Sequence, residues 1–245
     1  MFPFFESTIR PLLDEIRPLR TVVEVGAEAG QHTNRLLPYL RARGAHLHVI
    51  DPVPRFEVQR YNETFQSCST LHVGLSHDVL PSIEEPDVVM LDGDHNWYTV
   101  IEELRILDRR CTEWPVTFTH DIEWPYGRRD MYYAPQRVPE DMRQPYARSG
   151  IVEGRSELSP EGHNRGLFNA LYEGGPRNGV LTAIEDFVRE TPRDLVLFTA
   201  PGDNGLGIIV DRMRLRNARF AKLLRKAHDP RAKARAAPRA SGAAA

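Results

Sequence analysis

The stretch "RTVVEVGAEAGQHT" at residues 20–33 joins an apolar, β-branched run to a polar segment through Gly26 and Gly30. An apolar run that ends in glycine is typical of a buried parallel strand. The residues that follow carry leucines at helical spacing and end at Gly44, which predicts a helix. A strand, a glycine turn and a helix in succession predict the first unit of an α/β fold, in which ligands bind at the carboxyl ends of the strands.

The same alternation continues along the chain. Apolar runs predict further strands at residues 45–54, 69–76, 86–93 and 115–121, and helical spacing predicts helices at 99–110 and 179–191. The last regular stretch, residues 194–212, predicts two strands joined by a Pro-Gly-Asp-Asn-Gly turn. Together these segments predict an α/β fold with a doubly wound, largely parallel sheet.

The alternation breaks between residues 124 and 178, a segment rich in Pro, Gly, Arg and Tyr. Long irregular segments in a compact domain are usually functional loops. We therefore predict that this segment, inserted after the fifth strand, forms a lid over the site of the substrate. Arg128 and Arg129 would clamp an anionic acceptor, although the segment also fits a solvated excursion with surface arginines. We therefore predict one domain at residues 1–211 that contains this insertion.

Composition excludes several classes of protein. No apolar run approaches the roughly 18–20 residues that span a membrane. Cys68 and Cys111 are far apart and form no CxxC pair, which argues against a disulfide framework and favours a cytoplasmic location. We expect a small-molecule acceptor and a homo-oligomer, and no membrane partner.

The C-terminal segment at residues 212–245 is strongly basic. It has eleven Lys or Arg and a single acid, Asp229, and we predict that its end is disordered. A basic tail can bind nucleic acid, but this one lacks the interleaved aromatic residues on which bases stack. The sequence therefore does not favour a nucleic-acid partner.

The first turn has features of a cofactor site. Gly26 and Gly30 bracket Ala27 in a tight loop, although the middle glycine of a dinucleotide-binding motif is missing. Asp51 ends the second strand, where a carboxylate can accept the hydroxyls of a ribose. The turn and this acid together predict a nucleoside-containing cofactor; the alternative is an acid-flanked turn that binds no ligand.

The acidic residues beside the first turn limit which cofactor can bind there. Glu24 and Glu28 lie beside the loop and would repel the pyrophosphate of NAD. They would not repel S-adenosylmethionine (SAM), which carries a sulfonium and an amino group and no phosphate. The sequence thus favours SAM and opposes an NAD-dependent dehydrogenase.

Two aspartates follow neighbouring strands of the predicted sheet. Asp92 ends the fourth strand and Asp121 the fifth, so their carboxylates are expected to converge at one edge and to suit Mg²⁺. His120 would point to the opposite face unless the chain bends after Thr119. Mn²⁺, Fe²⁺ or Zn²⁺ would accept an imidazole ligand more readily than Mg²⁺ does.

Four motifs taken together resemble class I SAM-dependent methyltransferases over residues 21–121. They are E-x-G-x-x-x-G from Glu24, the strand-ending Asp51, VGLSHDVLP at residues 73–81 and LDGDH at residues 91–95. The resemblance implies a Rossmann-like, seven-stranded sheet with an antiparallel last strand, and SAM as the cofactor. The residues expected to bind SAM are Glu24, Gly26, Ala27, Gly30, Asp51 and Asp92. In the catechol-type O-methyltransferases a serine and the next polar residue hold the adenine, and Ser76 and His77 match this pair.

The resemblance extends to metal-dependent enzymes of the catechol type and of the type that modifies macrolide and aminocoumarin sugars. Their metal-binding acid matches Asp92, and their two further ligands after the fifth strand match His120 and Asp121. The DGDH motif also resembles the cephalosporin-hydroxylase-like methyltransferases. The resemblance implies a divalent metal, with Mg²⁺ expected first and Mn²⁺ as an alternative.

Methyl transfer to a hydroxyl needs a general base that takes the proton. Asp94 matches the base of the sugar-modifying enzymes, and His95 stands where the catechol type has its basic lysine. We favour His95 over Asp94, because histidine titrates near neutral pH. Alternatively, Asp92, Gly93 and Asp94 are only a turn and a helix cap, and His95 is an ordinary hydrogen-bonded histidine.

The sequence therefore predicts a SAM-dependent O-methyltransferase, assisted by a divalent metal, that acts on a hydroxyl of a sugar or specialised metabolite. The arginine-rich lid indicates an anionic acceptor. One alternative is a metal-independent methyltransferase that uses His95 or His120 as its base. Another is a non-catalytic subunit of the same fold that binds a partner through the basic segment.

Overall fold

The structure is a computed structural model of the chain and describes residues 1–228. The strands in chain order are β1 Thr21–Val25, β2 His46–Ile50, β3 Ser69–His72, β4 Val88–Leu91, β5 Val116–His120, β6 Met131–Tyr132, β7 Tyr146–Arg148, β8 Phe168–Ala170, β9 Leu195–Ala200 and β10 Leu206–Asp211. The α-helices are α1 Arg10–Leu13, α2 Thr33–Arg41, α3 Val58–Phe65, α4 Ser76–Val79, α5 Trp97–Arg110, α6 Val180–Glu190 and α7 Ala218–Ala227.

Seven of the strands form one sheet in the order β3-β2-β1-β4-β5-β10-β9. Strands β1 to β5 pair in parallel, and β10 runs antiparallel to both of its neighbours. This arrangement confirms the predicted Rossmann-like, doubly wound sheet with an antiparallel last strand. The strand order reverses between β1 and β4, which places the ligand-binding crevice of such folds at the carboxyl ends of these two strands.

Two apolar layers cover the faces of the sheet, because successive strand residues point to opposite sides. On β1, Val22 joins the layer that contains Leu36 of α2 and Phe220 of α7. Its neighbour Val23 joins the layer that contains residues of α5 and α6, such as Ile101. Strand β4 is buried along its whole length, as expected for a central strand of a doubly wound sheet.

The inserted segment at residues 124–178 has its own three-stranded sheet, in the order β6-β8-β7. Arg129 is buried inside it and donates hydrogen bonds to the carbonyl oxygens of Ala170 (2.7 Å) and Ser156 (2.6 Å). Arg128 forms a two-pronged ion pair with Glu185 of α6. The expected anion clamp is therefore not seen, because both guanidinium groups hold the insertion together and fasten it to the domain.

The first part of the basic C-terminal segment packs onto the domain. Its helix α7 begins where the side chain of Asn217 accepts the N–H groups of Arg219 and Phe220. Phe220 and Leu224 are buried in the same layer as the N-terminal helices. The end of the segment, which the sequence predicts to be disordered, lies outside the described residues. Within residues 1–228, no helix combines the length and apolarity needed to cross a bilayer.

Candidate active site

The first turn is packed tightly against the end of β4. Gly26 has a φ of +85°, and a Cβ atom there would lie 2.1 Å from the carbonyl oxygen of Asp92. The close approach that Gly26 permits is thus to the protein's own backbone. The turn and the residues after β4 consequently form one joined structure.

Asp51 organises the same turn from the end of β2. Its Oδ2 accepts the N–H groups of Ala27 (2.9 Å) and Glu28 (2.8 Å), and its Oδ1 accepts that of Val53 (2.7 Å). A carboxylate offers about four lone-pair sites, so three bonds leave room for a ribose hydroxyl. Gly30 closes the turn with a φ of +75°.

Glu24 braces the start of α2. Its carboxylate accepts the hydroxyl of Thr33 (2.7 Å) and lies 2.9 Å from Nδ1 of His32, and the side chain is almost fully buried. Both of its oxygens therefore have protein partners. Any contact of Glu24 with a cofactor would come in addition to this structural role.

Ser76 and His77 begin α4 and face the first turns of α5. Nε2 of His77 lies 3.0 Å from the carbonyl oxygen of Thr99, and the imidazole meets the ring of Tyr98 edge-on. Ser76 is buried, and its hydroxyl bonds to Glu103. The two residues matched to the adenine site thus lie together beside the carboxyl end of β3.

Four titratable residues converge at the carboxyl ends of β4 and β5, and we refer to Asp92, His95, His120 and Asp121 as the charged cluster. Nε2 of His95 lies 2.8 Å from Oδ2 of Asp121. Nδ1 of His120 lies 3.0 Å from the same oxygen and 3.1 Å from Oδ1 of Asp92. Asp121 has a φ of +60°, and this bend brings both His120 and Asp121 to the same side.

Part of the charged cluster has the geometry of a metal site. One ligand atom each from Asp92, His95 and Asp121 lie within 4.8 Å of one another. The sequence matched His120 to the third ligand, but Nε2 of His120 is 2.9 Å from the carbonyl oxygen of Asp203, and only its Nδ1 faces the carboxylates. The sequence does contain a signal for His95 as a ligand. It follows Asp92 by three residues, and Gly93 lets the chain turn back between them.

The charges of the cluster compensate one another. Burial alone lowers the pKa of His120, but its hydrogen bonds to Asp121 and Asp92 outweigh burial and raise that pKa to about 9. The pKa of His95 is also raised, because Asp121 outweighs the effect of burial. The pKa of Asp121 is lowered by the two imidazoles in spite of its burial. His120 is therefore cationic at neutral pH in this arrangement.

The N-terminal segment covers the charged cluster on one side. The ammonium group of Met1 lies 2.7 Å from Oδ2 of Asp92. The ring of Phe4 meets the imidazole of His120 edge-on, with 6.0 Å between the ring centroids. These contacts were not predictable from the sequence, since nothing in residues 1–13 indicates a functional role.

Aromatic side chains of the insertion cover another side. The imidazole of His95 stacks on Tyr126 with 5.3 Å between ring centroids, and Tyr133 lies 5.9 Å away. Tyr126 is buried, whereas Tyr133 is 57% exposed. His95 thus stands between the acidic side chains and a partly open aromatic surface.

Asp94 and its neighbours show which residue caps α5. The side chain of Asn96 accepts the N–H of Thr99 (2.8 Å), so the cap is Asn96 and not the Asp92–Gly93–Asp94 turn. Asp94 accepts a bond from the N–H of His95 (3.1 Å), and burial raises the pKa of its carboxyl. Asp94 therefore lies close to His95 without a capping role.

A small cavity of about 10 Å³ lies behind His95, lined by Asp94, Glu103 and Thr119 among others. Nδ1 of His95, Oε1 of Glu103 and Oγ1 of Thr119 are buried and have no hydrogen-bond partner among the described residues. Three polar atoms around a volume of about 10 Å³ suit a single bound water.

Comparison with known proteins agrees with this geometry. Residues 23–122 match the model of a family described as "Methyltransferase domain", a segment that runs from β1 to the residue after Asp121. No curated protein matches the chain.

Several solved structures resemble the fold at low sequence identity. The SAH-bound methyltransferase PaMTH1 of Podospora anserina has 13% identity and a TM-score of 0.47, with 79% of this chain and 72% of that chain covered. The CcbJ methyltransferase of Streptomyces caelestis has 12% identity and a TM-score of 0.45, with 82% and 86% covered. An rRNA methylase of Streptococcus thermophilus has 10% identity and a TM-score of 0.44, with 82% and 92% covered.

Proposed function

We propose that this chain, a class I SAM-dependent methyltransferase, transfers the methyl group to a hydroxyl of a small-molecule acceptor with the help of a divalent metal. The observation that carries the proposal is the charged cluster, which adjoins the first turn through the contact of Gly26 with Asp92. A cofactor held at this turn would present its methyl group next to two carboxylates and two imidazoles.

The charged cluster fits a divalent metal. Its donors would be Asp92 and Asp121 with an imidazole. That imidazole is either His95, as the ligand distances favour, in which case Asp94 would be the base, or His120, which leaves His95 free to act as the base. The mixture of carboxylates and imidazole suits Mn²⁺, Fe²⁺ or Zn²⁺ better than Mg²⁺. When bound, such a metal lowers the pKa of a coordinated hydroxyl and fixes its position.

The chain's own groups would hold the cofactor around the first turn. Asp51 would bind the ribose with its remaining lone pair, and the backbone of Gly26, Ala27 and Gly30 would shape the methionine side. Ser76 and His77 would border the adenine. Glu24 would act mainly by holding α2 in place, since both of its oxygens have protein partners.

A side chain of the chain must take the proton from the acceptor hydroxyl. With His120 as the imidazole ligand of the metal, His95 is our choice, because its ring borders the aromatic surface of Tyr126 and Tyr133, where an acceptor has access. Asp94 is the alternative base, since its carboxyl is close by and burial raises its pKa towards neutrality. Both candidates line the small cavity, and the ring contacts with Tyr126 and Tyr133 belong to His95.

The acceptor would be a sugar or a specialised metabolite. The support is the aromatic surface formed by Tyr126 and Tyr133, since aromatic faces pack well against the apolar face of a ring. The idea of an anionic acceptor loses its main support, because Arg128 and Arg129 are engaged in holding the insertion.

Two measurements test the proposal. Calorimetric titration with S-adenosylhomocysteine should show binding, and Asp51→Ala should weaken it; no binding to the wild type would overturn the cofactor assignment. Methyl transfer to a panel of hydroxylated small molecules should stop in EDTA, return with Mn²⁺ or Mg²⁺, and be lost in Asp121→Ala. Full activity in EDTA together with an active Asp121→Ala variant would overturn the metal assignment.

A metal-independent transfer is the second candidate. It is favoured by the 2.8 Å contact between Nε2 of His95 and Asp121, since a carboxylate that orients a histidine is a common arrangement for a general base. In that case activity would be insensitive to EDTA but would still be lost in His95→Gln.

A further inference from the structure

A group of three histidines lies at the β3 edge of the sheet, away from the charged cluster. His46 and His48 are two residues apart on β2, so their side chains share one face of the sheet. His72 ends the neighbouring strand β3, where it pairs with Ile50. The intervening residues Leu47 and Val49 point into the apolar layer on the opposite face.

The imidazole of His48 contacts those of both His46 and His72. Nδ1 of His48 lies 3.0 Å from Nε2 of His72, and their rings are stacked with 5.3 Å between the centroids. The ring of His46 is 5.0 Å from that of His48, and its Nε2 lies 2.9 Å from the hydroxyl of Thr70. All three side chains are half-buried, so they are held in place yet reachable from solvent.

The pKa values of His48 and His72 are lowered, which favours the neutral form of these two rings. Burial, together with the proximity of His46 and His72, lowers the pKa of His48 to about 4. Burial and His46 lower the pKa of His72 as well. Neutral rings carry a free lone pair on one nitrogen, which is the form that coordinates cations.

We propose that His46, His48 and His72 form a second metal site, separate from the charged cluster, that takes a borderline divalent cation such as Zn²⁺ or Cu²⁺. Two histidines from one strand and a third from the next supply three imidazole nitrogens and leave a fourth position open. Imidazole donors without carboxylates select Zn²⁺, Cu²⁺ or Ni²⁺ and disfavour Mg²⁺.

The distance between His48 and His72 suits this assignment. Two ligands bound at about 2.0–2.1 Å in a tetrahedral site are about 3.3 Å apart, and the closest nitrogens of His48 and His72 are 3.0 Å apart. His46 completes the set when its ring turns from Thr70 towards the other two. A cation bound here would link the edge strand β3 to β2 and would stabilise the half of the sheet that carries Asp51 and Ser76.

The test must separate this site from the charged cluster. An Asp92→Asn/Asp121→Asn variant removes the carboxylates of the cluster and keeps the three histidines. We expect it to bind one equivalent of Co²⁺ with the visible absorption of a nitrogen-ligated ion, and to bind Zn²⁺ in calorimetry. Adding His48→Gln and His72→Gln should abolish both signals, while His228→Gln, which changes a histidine beside β9, should leave them unchanged.

Two further readouts use the otherwise unaltered protein. Zn²⁺ should raise the Tm of the wild type, and the rise should shrink in His48→Gln/His72→Gln. The single change His46→Gln should weaken Zn²⁺ binding by at least about tenfold, a loss of about 1.4 kcal/mol. The proposal is overturned if the Asp92→Asn/Asp121→Asn variant binds neither Co²⁺ nor Zn²⁺, or if the histidine changes leave affinity as it was.

Discussion

Asp121 is the residue that joins the two histidines of the charged cluster, because a single oxygen, Oδ2, lies within 3.0 Å of both His95 and His120. Its positive φ places it there, and the neighbouring strand brings Asp92 opposite. The sequence predicted a metal site at this edge of the sheet, because acids end two neighbouring strands. The structure adds that His95 belongs to the same hydrogen-bonded group as the acids.

The choice between two bases is decided by a pair of nearly isosteric substitutions. We expect His95→Gln to lower kcat by about 10²–10⁴-fold, the usual contribution of a general base, and Asp94→Asn to lower it much less. Steady-state kinetics with one acceptor would measure both, with His228→Gln as the matched control. The reverse order of effects would assign the base to Asp94.

Gly26 offers a test of how tightly the first turn is built. Gly26→Ala should destabilise the protein by at least about 2 kcal/mol, because the methyl group would meet the backbone of Asp92 and φ is unfavourable. Gly44→Ala has a similar φ but nothing within 4 Å, so it should cost only about 1 kcal/mol. Urea unfolding of the two variants measures the difference, and equal losses would show that the contact is unimportant.

At the scale of secondary-structure elements, one buried acid attaches the insertion to the rest of the domain. Asp130 accepts the N–H groups of Trp97 and Gly179 and the hydroxyl of Tyr132. It thus ties β6 to the first residues of both α5 and α6. Because Tyr126 and Tyr133 flank it in the same segment, Asp130 also determines where the aromatic surface stands.

The pH dependence of stability follows from the same residue. Burial raises the pKa of Asp130 to about 6, above its value in the unfolded chain, so the folded state holds this proton more firmly. Its ionisation should therefore reduce stability as the pH rises from about 4 through 6. In Asp130→Asn this decline should be smaller, as thermal unfolding between pH 4 and 7 would show; Asp194→Asn, at an exposed site, is the control. Equal slopes in all three proteins would contradict the assignment.

Regular elements were predictable from sequence where packing leaves a periodic pattern. The apolar runs of β1 and β4 and the leucines of α2 are of this kind, and their positions agree with the structure to within a few residues. The small sheet of the insertion was not predictable, because β6, β7 and β8 have only two or three residues each and no period. The histidine group at β2 and β3 was equally hidden, since it depends on the register between two strands.

For the whole molecule, the described residues contain every residue to which we assign a role in the site. A chain that ends after His228 is therefore expected to keep S-adenosylhomocysteine affinity and methyl transfer within about twofold of the full chain. Calorimetry and turnover of the shortened protein would test this. Loss of activity in a folded, shortened chain would favour the alternative in which the basic segment binds a partner. The homo-oligomer stays a prediction, for which sedimentation velocity is the direct measurement.

The contact between Gly26 and the carbonyl of Asp92 has a thermodynamic consequence. Since the cofactor turn packs directly against the residues that carry the carboxylates, ordering either side reduces the cost of ordering the other, and the two ligands become linked. Linkage is reciprocal, so the factor by which Mn²⁺ raises the affinity for S-adenosylhomocysteine must equal the factor by which S-adenosylhomocysteine raises the affinity for Mn²⁺. Paired titrations should give one coupling factor greater than one, and a factor of one would mean that the two sites are independent despite their contact.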